Sequence, residues 1–177
     1  MADNIQEDSK AVIRRLYKEG LNQGNLAVLD EVYAIDAELH FPNTPEDPYG
    51  PGFMRQIFAT LRNAFPSIRA SVDDIVAESD KVISRVVFTG HHEGNAAGRS
   101  PFGPLSLWTR IDVYRIFNGK IIEQWADRDE LGLLGQLGVV PVPVDHSGQP
   151  NRAYAAIPAP PGHREWEEPQ SVTPTGE

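Results

Sequence analysis

The sequence predicts a single α+β domain in which helices precede an antiparallel sheet. Apolar residues recur every three or four positions in the N-terminal part of the chain, and every second position from about residue 67 onward. Strand patterns do not alternate with helix patterns, as a parallel sheet would require. A length of 177 residues fits one domain of about 100–150 residues with some additional chain.

Three helices and one short strand are predicted in the N-terminal part. The first helix covers residues 9–22, because an apolar stripe runs along one face opposite basic residues. A second, short helix is predicted at residues 26–33. A brief strand at residues 37–42 ends at a proline, and a loop rich in proline, glycine and acidic residues leads to a third helix at residues 52–65.

Four strands follow, and the sequence predicts that they form hairpins. They read IRASVDDIVAES, KVISRVVFTGHH, LSLWTRIDVYRIF and KIIEQWAD. Asn118-Gly119, between the last two, is the strongest hairpin signal that two residues give. The segment ELGLLGQLG then predicts a short final helix, and Asp129 directly before it is placed to cap its N-terminus.

The composition changes after Gly138. Residues 139–177 contain eight of the chain's fifteen prolines, a density that opposes both helices and strand pairing. We therefore expect the domain to span residues 1–138 and residues 139–177 to form an extended tail. A tail that docks on the domain stays open as an alternative, because Tyr154, Ile157 and Trp166 offer apolar anchors.

Charge and composition exclude several classes of function. The formal net charge of −9 disfavours binding to nucleic acid or to anionic lipid. We find no apolar run near the roughly 20 residues that cross a bilayer, and the N-terminus lacks the apolar segment of a signal peptide. We expect a cytoplasmic protein. Because the chain has no cysteine, its chemistry depends on carboxylates, histidines, tyrosines and arginines.

The third strand of the hairpin region carries an unusual face. Alternation places Trp108, Arg110, Asp112 and Tyr114 on one side. Aromatic and charged side chains mixed in this way are typical of either a polar pocket or an oligomer interface. On the next strand, alternation places Gln124 and Ala126 on one face. It places Glu123, Trp125 and Asp127 on the other face.

Several segments together resemble a known family. They are RLYKEGLNQGNLAVLDEVYA, HFP, GFMRQIFATLRNAFP and DVYRIFNGKIIEQWADRDELGLLGQLG. They are similar to SnoaL-like polyketide cyclases, also called ester cyclases, within the nuclear-transport-factor-two-like superfamily, over about residues 8–138. The resemblance implies a cone, in which a strongly curved antiparallel sheet and N-terminal helices enclose a pocket. It also implies a small hydrophobic ligand, no metal or organic cofactor, and association through the sheet as dimers or tetramers. Because strands such as KVISRVVFTGHH carry apolar residues on both faces, we expect a homodimer formed through the sheet.

The resemblance implies a catalytic aspartate beside the tryptophan, often directly after it, where this chain has Ala126. Three alternatives follow. A bulge could turn Asp127 into the pocket, Asp112 on the neighbouring strand could replace the acid, or the acid could be absent. Asp127, Asp112 and Arg110 are therefore the predicted catalytic residues.

The predicted substrate-binding residues come from several elements. His92 matches a histidine that similar sequences carry at a strand end, Tyr17 matches a first-helix position that lies in the pocket, and His40 is placed near the mouth of the cone. The remaining members are Phe53, Trp108 and Trp125. No metal site is predicted, because the adjacent His91 and His92 point to opposite faces of a regular strand.

The expected chemistry is proton transfer at a carbon next to a carbonyl. A carboxylate buried against aromatic rings can serve as a general acid or base near neutral pH. For a cyclase of this family, such a group would catalyse an intramolecular aldol reaction of a polyketide. Two alternatives stay open. One is epoxide opening of the limonene-epoxide-hydrolase type by Asp112, Arg110 and Asp127, and the other is a non-catalytic module that binds small molecules.

Overall fold

The structure, a computed structural model, describes residues 2–42, 48–92, 105–141, 144 and 146–147. Most of the predicted tail, including its three apolar anchors, lies outside these residues, so the boundary at residue 138 stays a prediction. Within the described part, none of the helices combines the length and apolar character needed to cross a bilayer.

The described elements follow the predicted α+β order. The helices are α1 (Ala2–Arg15), α2 (Val28–Val32), α3 (Gly50–Ala64) and α4 (Glu130–Gln136). The strands are β1 (Tyr33–His40), β2 (Arg69–Glu78), β3 (Lys81–His91), β4 (Leu105–Phe117) and β5 (Lys120–Arg128). The first helix begins earlier than predicted, and beyond α1 it continues as π-helical turns over Leu16–Asn22. Tyr33, predicted at the end of the second helix, instead opens β1.

The five strands form one curved sheet in the order β1-β5-β4-β3-β2. Strands β2 to β5 are antiparallel neighbours, as predicted. β1 pairs with β5 in parallel, so the sheet is mixed rather than wholly antiparallel. The residue pattern of a strand does not show which distant strand it pairs with. In the chain, α3 and three further strands lie between β1 and β5.

Two turn features match the sequence. Asn118 and Gly119 have φ angles of 49° and 73°, the left-handed conformation that a tight hairpin between β4 and β5 requires. At the N-terminus of α4, the Asp129 carboxylate accepts a hydrogen bond from the Gly132 backbone N–H at 2.9 Å. The predicted cap is therefore confirmed.

The core lies between the concave face of the sheet and the helices. The helices contribute buried residues such as Ile13, Leu16 and Phe58, and the sheet contributes others such as Val86 and Phe88. A bulge in β5 adjusts which residues point inward: Ile116 pairs with Ile121 but Arg115 pairs with Glu123, so Ile122 is an extra residue. Because of this bulge, both Ile121 and Gln124 are buried.

We predict that Asp129→Ala lowers stability without changing the fold. Loss of a helix cap costs about 1 kcal/mol, which for a domain of this size is a fall in melting temperature of about 2–4 °C. Calorimetry measures the shift, with Asp127→Ala as the matched control, since Asp127 is exposed and does not cap α4. Equal melting temperatures for the two variants would contradict a stabilising cap.

Candidate active site

The inner face of β4 places polar side chains inside the domain. Asp112 is fully buried, and the side chain of Arg110 is only 11% exposed. Trp108 and Tyr114 are buried on the same face, as the alternation of β4 predicts. A buried carboxylate is rare unless it is paired and hydrogen-bonded, so the surroundings of Asp112 define the candidate site.

The two oxygens of the Asp112 carboxylate have different partners. Oδ1 accepts hydrogen bonds from Arg110 Nε and from Gln124 Nε2, both at 2.8 Å. Arg110 Nη2 also lies 2.7 Å from Oδ1, but at an angle unsuited to a hydrogen bond, so it contributes an ion pair only. Oδ2 accepts one hydrogen bond, from Tyr17 Oη at 2.9 Å. Among the described residues, Oδ1 thus accepts two hydrogen bonds and Oδ2 accepts one, so Oδ2 has a lone pair that can accept a further hydrogen bond.

The directions of the hydrogen bonds follow from counting protons. Tyr17 has one hydroxyl hydrogen and donates it to Asp112, so the 2.9 Å contact between the hydroxyls of Tyr17 and Tyr114 requires Tyr114 to be the donor. Tyr33 donates to Gln124 Oε1 at 2.6 Å, while the amide of Gln124 faces Asp112. Both series of hydrogen bonds end at the Asp112 carboxylate, where they replace the water that the carboxylate loses on burial.

Burial and charge fix the protonation of the surrounding groups. Burial, and then the negative charge of Asp112, raise the pKa of the Tyr17 and Tyr114 phenols. Burial is also the main cause of the raised pKa of Tyr33. Burial alone would lower the pKa of Arg110, but Asp112 and the nearby phenols outweigh this and raise it. The three phenols therefore remain protonated donors and Arg110 remains a cation.

Local backbone features position two of these donors. Tyr17 lies on the π-helical turns that follow α1, and such wider turns are frequent at functional sites. Gln124 faces inward because of the bulge at Ile122. The buried network thus depends on one irregularity in a helix and one in a strand.

An aromatic wall adjoins the polar network along β4. Trp108 lies 4.9 Å from Phe65 and is stacked on Phe88 with ring centroids 5.4 Å apart. His92 is buried and lies 5.6 Å from the ring of Phe65. The structure therefore brings two of the predicted substrate-binding residues, Trp108 and His92, into one apolar wall suited to a flat ligand.

Arg110 contacts one member of a second aromatic pair. The guanidinium lies 5.0 Å from the centre of the Phe41 ring, a cation–π arrangement. Phe41 is stacked on Phe53 at 6.1 Å. Phe53, another predicted substrate-binding residue, is therefore linked to the guanidinium only through the Phe41 ring in the described structure.

Three predicted site residues lie on the opposite, outer face of the sheet. Asp112 pairs with Ala126, and Asp127 pairs with Ile111, so strand alternation directs Asp127 away from Asp112. The bulge at Ile122 lies at the other end of β5 and does not turn Asp127 inward. Trp125 is stacked on His40 at 5.1 Å on this outer face. The predicted site therefore contains residues that lie on opposite faces of the sheet.

These outer residues line an open groove of about 540 Å³ together with Ile111 and Val113. Beside it, Glu38, His40 and Glu123 form the one group of potential metal ligands in the described chain, with ligand atoms within 4.8 Å of one another. Glu123 contacts His40 at 3.0 Å and accepts a hydrogen bond from Arg115 at 2.9 Å. The group is thus an internally paired polar cluster, across the sheet from Asp112.

Two members of the buried network, Gln124 and Tyr33, were not predicted from the sequence. Gln124 was placed on the same face as Ala126, but an uncharged amide gave no sign that it would bind a carboxylate. Tyr33 was predicted to be helical, and its contact with Gln124 joins residues 91 positions apart. The alternation along β4 correctly predicted the inner face for Tyr114. It was the only feature of the sequence that indicated a role for this residue.

The chain is similar to proteins of known structure. A family profile described as SnoaL-like polyketide cyclase matches residues 11–137. IdmH, a proposed polyketide cyclase from Streptomyces antibioticus, is 32% identical, with a TM-score of 0.66 over 73% of this chain and 98% of IdmH. No protein with a curated description matches the sequence.

Two further structures share the fold. TsrD from Streptomyces laurentii is 25% identical, with a TM-score of 0.67 over 76% of this chain and 97% of TsrD. AclR from Streptomyces galilaeus, a proposed hydroxylase, is 24% identical, with a TM-score of 0.70 over 80% of this chain and 87% of AclR. At the identity of AclR the likeness concerns the fold alone.

The buried phenols predict a loss of stability at alkaline pH. Phenols of the unfolded chain ionise near pH 10, whereas the raised pKa of Tyr17, Tyr33 and Tyr114 keeps them protonated in the folded protein. Above about pH 10 the unfolded state therefore binds fewer protons, and the free energy of unfolding falls by up to about 1.4 kcal/mol per pH unit for each phenol. Below that pH their contribution is fully present.

Urea unfolding at several pH values between about 9 and 11 tests this prediction. Tyr33→Phe should fall less steeply with pH than the wild type, because one buried phenol is absent. Tyr49→Phe is the matched control, since Tyr49 is 72% exposed, and it should retain the wild-type slope. A slope for Tyr33→Phe equal to those of the wild type and of Tyr49→Phe would contradict a raised pKa for Tyr33.

Proposed function

The chain belongs to the SnoaL-like polyketide cyclase family, and we propose that it catalyses the intramolecular aldol cyclisation of a polyketide or a similar small hydrophobic carbonyl compound. Asp112 is the proposed acid–base group, and the protein's own side chains supply the chemistry. The observation that carries the proposal is the buried carboxylate of Asp112, which contacts Arg110, Gln124 and Tyr17 and lies on the same strand face as Trp108.

The pairing of β4 with β5 supports the choice of Asp112. The resemblance to the family implies an acid directly after Trp125, where this chain has Ala126. Asp112 is the cross-strand partner of Ala126, and side chains opposite each other on one face have Cβ atoms about 5 Å apart. Asp112 thus brings a carboxylate to nearly the same part of the interior from the neighbouring strand.

The difference between the two carboxylate oxygens suggests how the reaction proceeds. Oδ2 removes a proton from a carbon next to a substrate carbonyl, and the electron pair moves onto that carbonyl as an enolate. The enolate carbon attacks a second carbonyl carbon of the same molecule and forms the new C–C bond. The resulting alkoxide takes the proton back from Oδ2, so the product is an isomer of the substrate. Tyr17 keeps Oδ2 in position throughout.

The apolar surroundings support cyclisation in two ways. The wall formed by Trp108, Phe65 and Phe88 can hold a flexible substrate in a folded conformation, so that its reacting carbons stay close. The substrate then loses its conformational entropy on binding rather than in the reaction step. Exclusion of water also strengthens the interaction between the buried charges and the developing enolate.

Of the two alternatives, epoxide opening has less support. Epoxide opening needs a second carboxylate near Arg110, and the predicted candidate, Asp127, lies on the outer face of the sheet. A non-catalytic binding module would use the same interior and the same aromatic wall. It differs from a cyclase in a single measurable property, the absence of proton transfer to and from a bound ketone.

Proton transfer can be measured without the natural substrate. We predict that the wild type accelerates exchange of the methyl protons of 2-acetylnaphthalene for deuterium in D₂O, followed by NMR. Asp112→Asn should slow this exchange by roughly 10²–10⁴-fold, as expected when a positioned proton-transfer group is lost. Asp127→Asn should exchange at the wild-type rate, because its side chain lies outside. Circular dichroism confirms that each variant is folded.

Two results would contradict the proposal. A folded Asp112→Asn protein that exchanges as fast as the wild type would remove Asp112 from the chemistry. A wild-type rate no faster than that of buffer would favour the binding module.

We also propose a homodimer formed through the outer face of the sheet. Val76, Ile83 and Ile111 are 55%, 43% and 53% exposed on that face, and apolar surface of this kind is typical of subunit interfaces.

Light scattering tests this assembly. The wild type should have twice the 19.6 kDa mass of one chain, and Ile111→Glu should shift it to the monomer. Ile5→Glu, at a 63% exposed position on α1, is the matched control and should leave the dimer intact. A monomeric wild type at micromolar concentration would overturn the proposal.

A further inference from the structure

Within the described part of the chain, the hydroxyls of two buried serines on the inner face of the sheet have no hydrogen-bond partner. Ser84 on β3 and Ser106 on β4 are both fully buried. The hydroxyl of each has no partner in the part of the chain that the structure describes. Buried hydroxyls are nearly always satisfied, and an unsatisfied one in a native protein requires an explanation.

The two serines differ in their distance from the carboxylate. Ser84 is the cross-strand partner of Asp112, which places their Cβ atoms about 5 Å apart. Ser106 pairs with Gly90 and lies six residues from Asp112 along β4, a separation of roughly 20 Å. The pair therefore offers a test site and a chemically identical control within one sheet.

Arg110 supplies a second buried donor, Nη2, which is held by an ion pair but makes no hydrogen bond to the described residues. Its Nη2 atom is buried and makes no hydrogen bond to the described residues, although it lies 2.7 Å from Asp112 Oδ1. Arg110 lies two residues from Asp112 on β4, and Ser84 lies opposite Asp112 on β3. Buried N–H and O–H donors that make no hydrogen bond to the described residues thus flank the carboxylate on two sides.

We propose that Ser84, together with Arg110 Nη2, binds the substrate carbonyl oxygen that gains negative charge when Asp112 removes the proton. This proposal rests on the function proposed above. As the C–H proton moves to Asp112 Oδ2, the electron pair moves onto the carbonyl oxygen, which accepts hydrogen bonds from both donors. No covalent bond to Ser84 forms.

The arrangement also defines the substrate class. The ligand must present a ketone oxygen beside its acidic carbon, because an apolar group at that point would leave both donors unsatisfied in a dry site. The rest of the ligand must be flat and apolar to lie against Trp108. An aryl ketone meets both requirements, and its hydrocarbon isostere meets only the second.

Equilibrium dialysis with 2-acetylnaphthalene and 2-isopropenylnaphthalene measures the role of Ser84 without any catalysis. The two ligands have the same shape, but the second carries CH₂ in place of the oxygen. Ser84→Ala should weaken binding of the ketone by about 3- to 10-fold, the equivalent of one neutral hydrogen bond, and leave binding of the hydrocarbon unchanged. Ser106→Ala should bind both ligands as the wild type does.

Deuterium exchange measures the effect on the reaction itself. Ser84→Ala should slow exchange of the bound ketone by roughly 10²-fold, more than it weakens binding, because a donor to developing charge acts mainly in the transition state. Ser106→Ala should exchange at the wild-type rate. Both alanine variants should retain or raise the melting temperature, since each removes an unsatisfied hydroxyl.

The outcomes separate this proposal from the proposed function. Ketone-selective weakening in Ser84→Ala, in a wild type that does not exchange protons, would support the carbonyl site and reject the cyclase. Equal ketone binding by Ser84→Ala and the wild type would overturn the carbonyl site. Parallel losses in Ser84→Ala and Ser106→Ala would also overturn it, because they would show that both serines act on the fold.

Discussion

The interior of this protein is organised around one constraint, the burial of the Asp112 carboxylate. A charged carboxylate cannot leave water unless other groups replace its hydration. Here Arg110 supplies the opposite charge, and Gln124 and Tyr17 supply further donors. Tyr33 and Tyr114 then orient those donors from a second layer. The π-helical turns, the bulge in β5 and the register of the β4–β5 hairpin each contribute one part of this arrangement.

Local patterns in the sequence were sufficient for the parts of the fold that depend on neighbouring residues. Alternation along β4 placed Arg110 and Asp112 on one face, Asn118-Gly119 marked the hairpin, and Asp129 marked the cap of α4. The parallel partner of β1 and the role of Tyr33 were not accessible in this way. Both depend on contacts between residues far apart in sequence, and such contacts leave no mark on either segment alone.

The position of the acid shows why register matters more than composition at this site. Trp125 and Asp127 are close to the expected family motif in sequence, but regular alternation after the bulge directs both to the outer face. Ala126 faces inward without a functional group, and Asp112 faces it from the neighbouring strand. A carboxylate can therefore reach this part of the interior from either β4 or β5, because cross-strand neighbours reach the same space.

The most direct test of this account moves the carboxylate back across the hairpin. The double variant Asp112→Asn/Ala126→Asp restores an inward acid on β5, and its rate of deuterium exchange into 2-acetylnaphthalene is compared with that of Asp112→Asn alone. If an interior carboxylate at this point carries the chemistry, the double variant should recover at least about tenfold in rate. A folded double variant that exchanges no faster than Asp112→Asn would contradict the account.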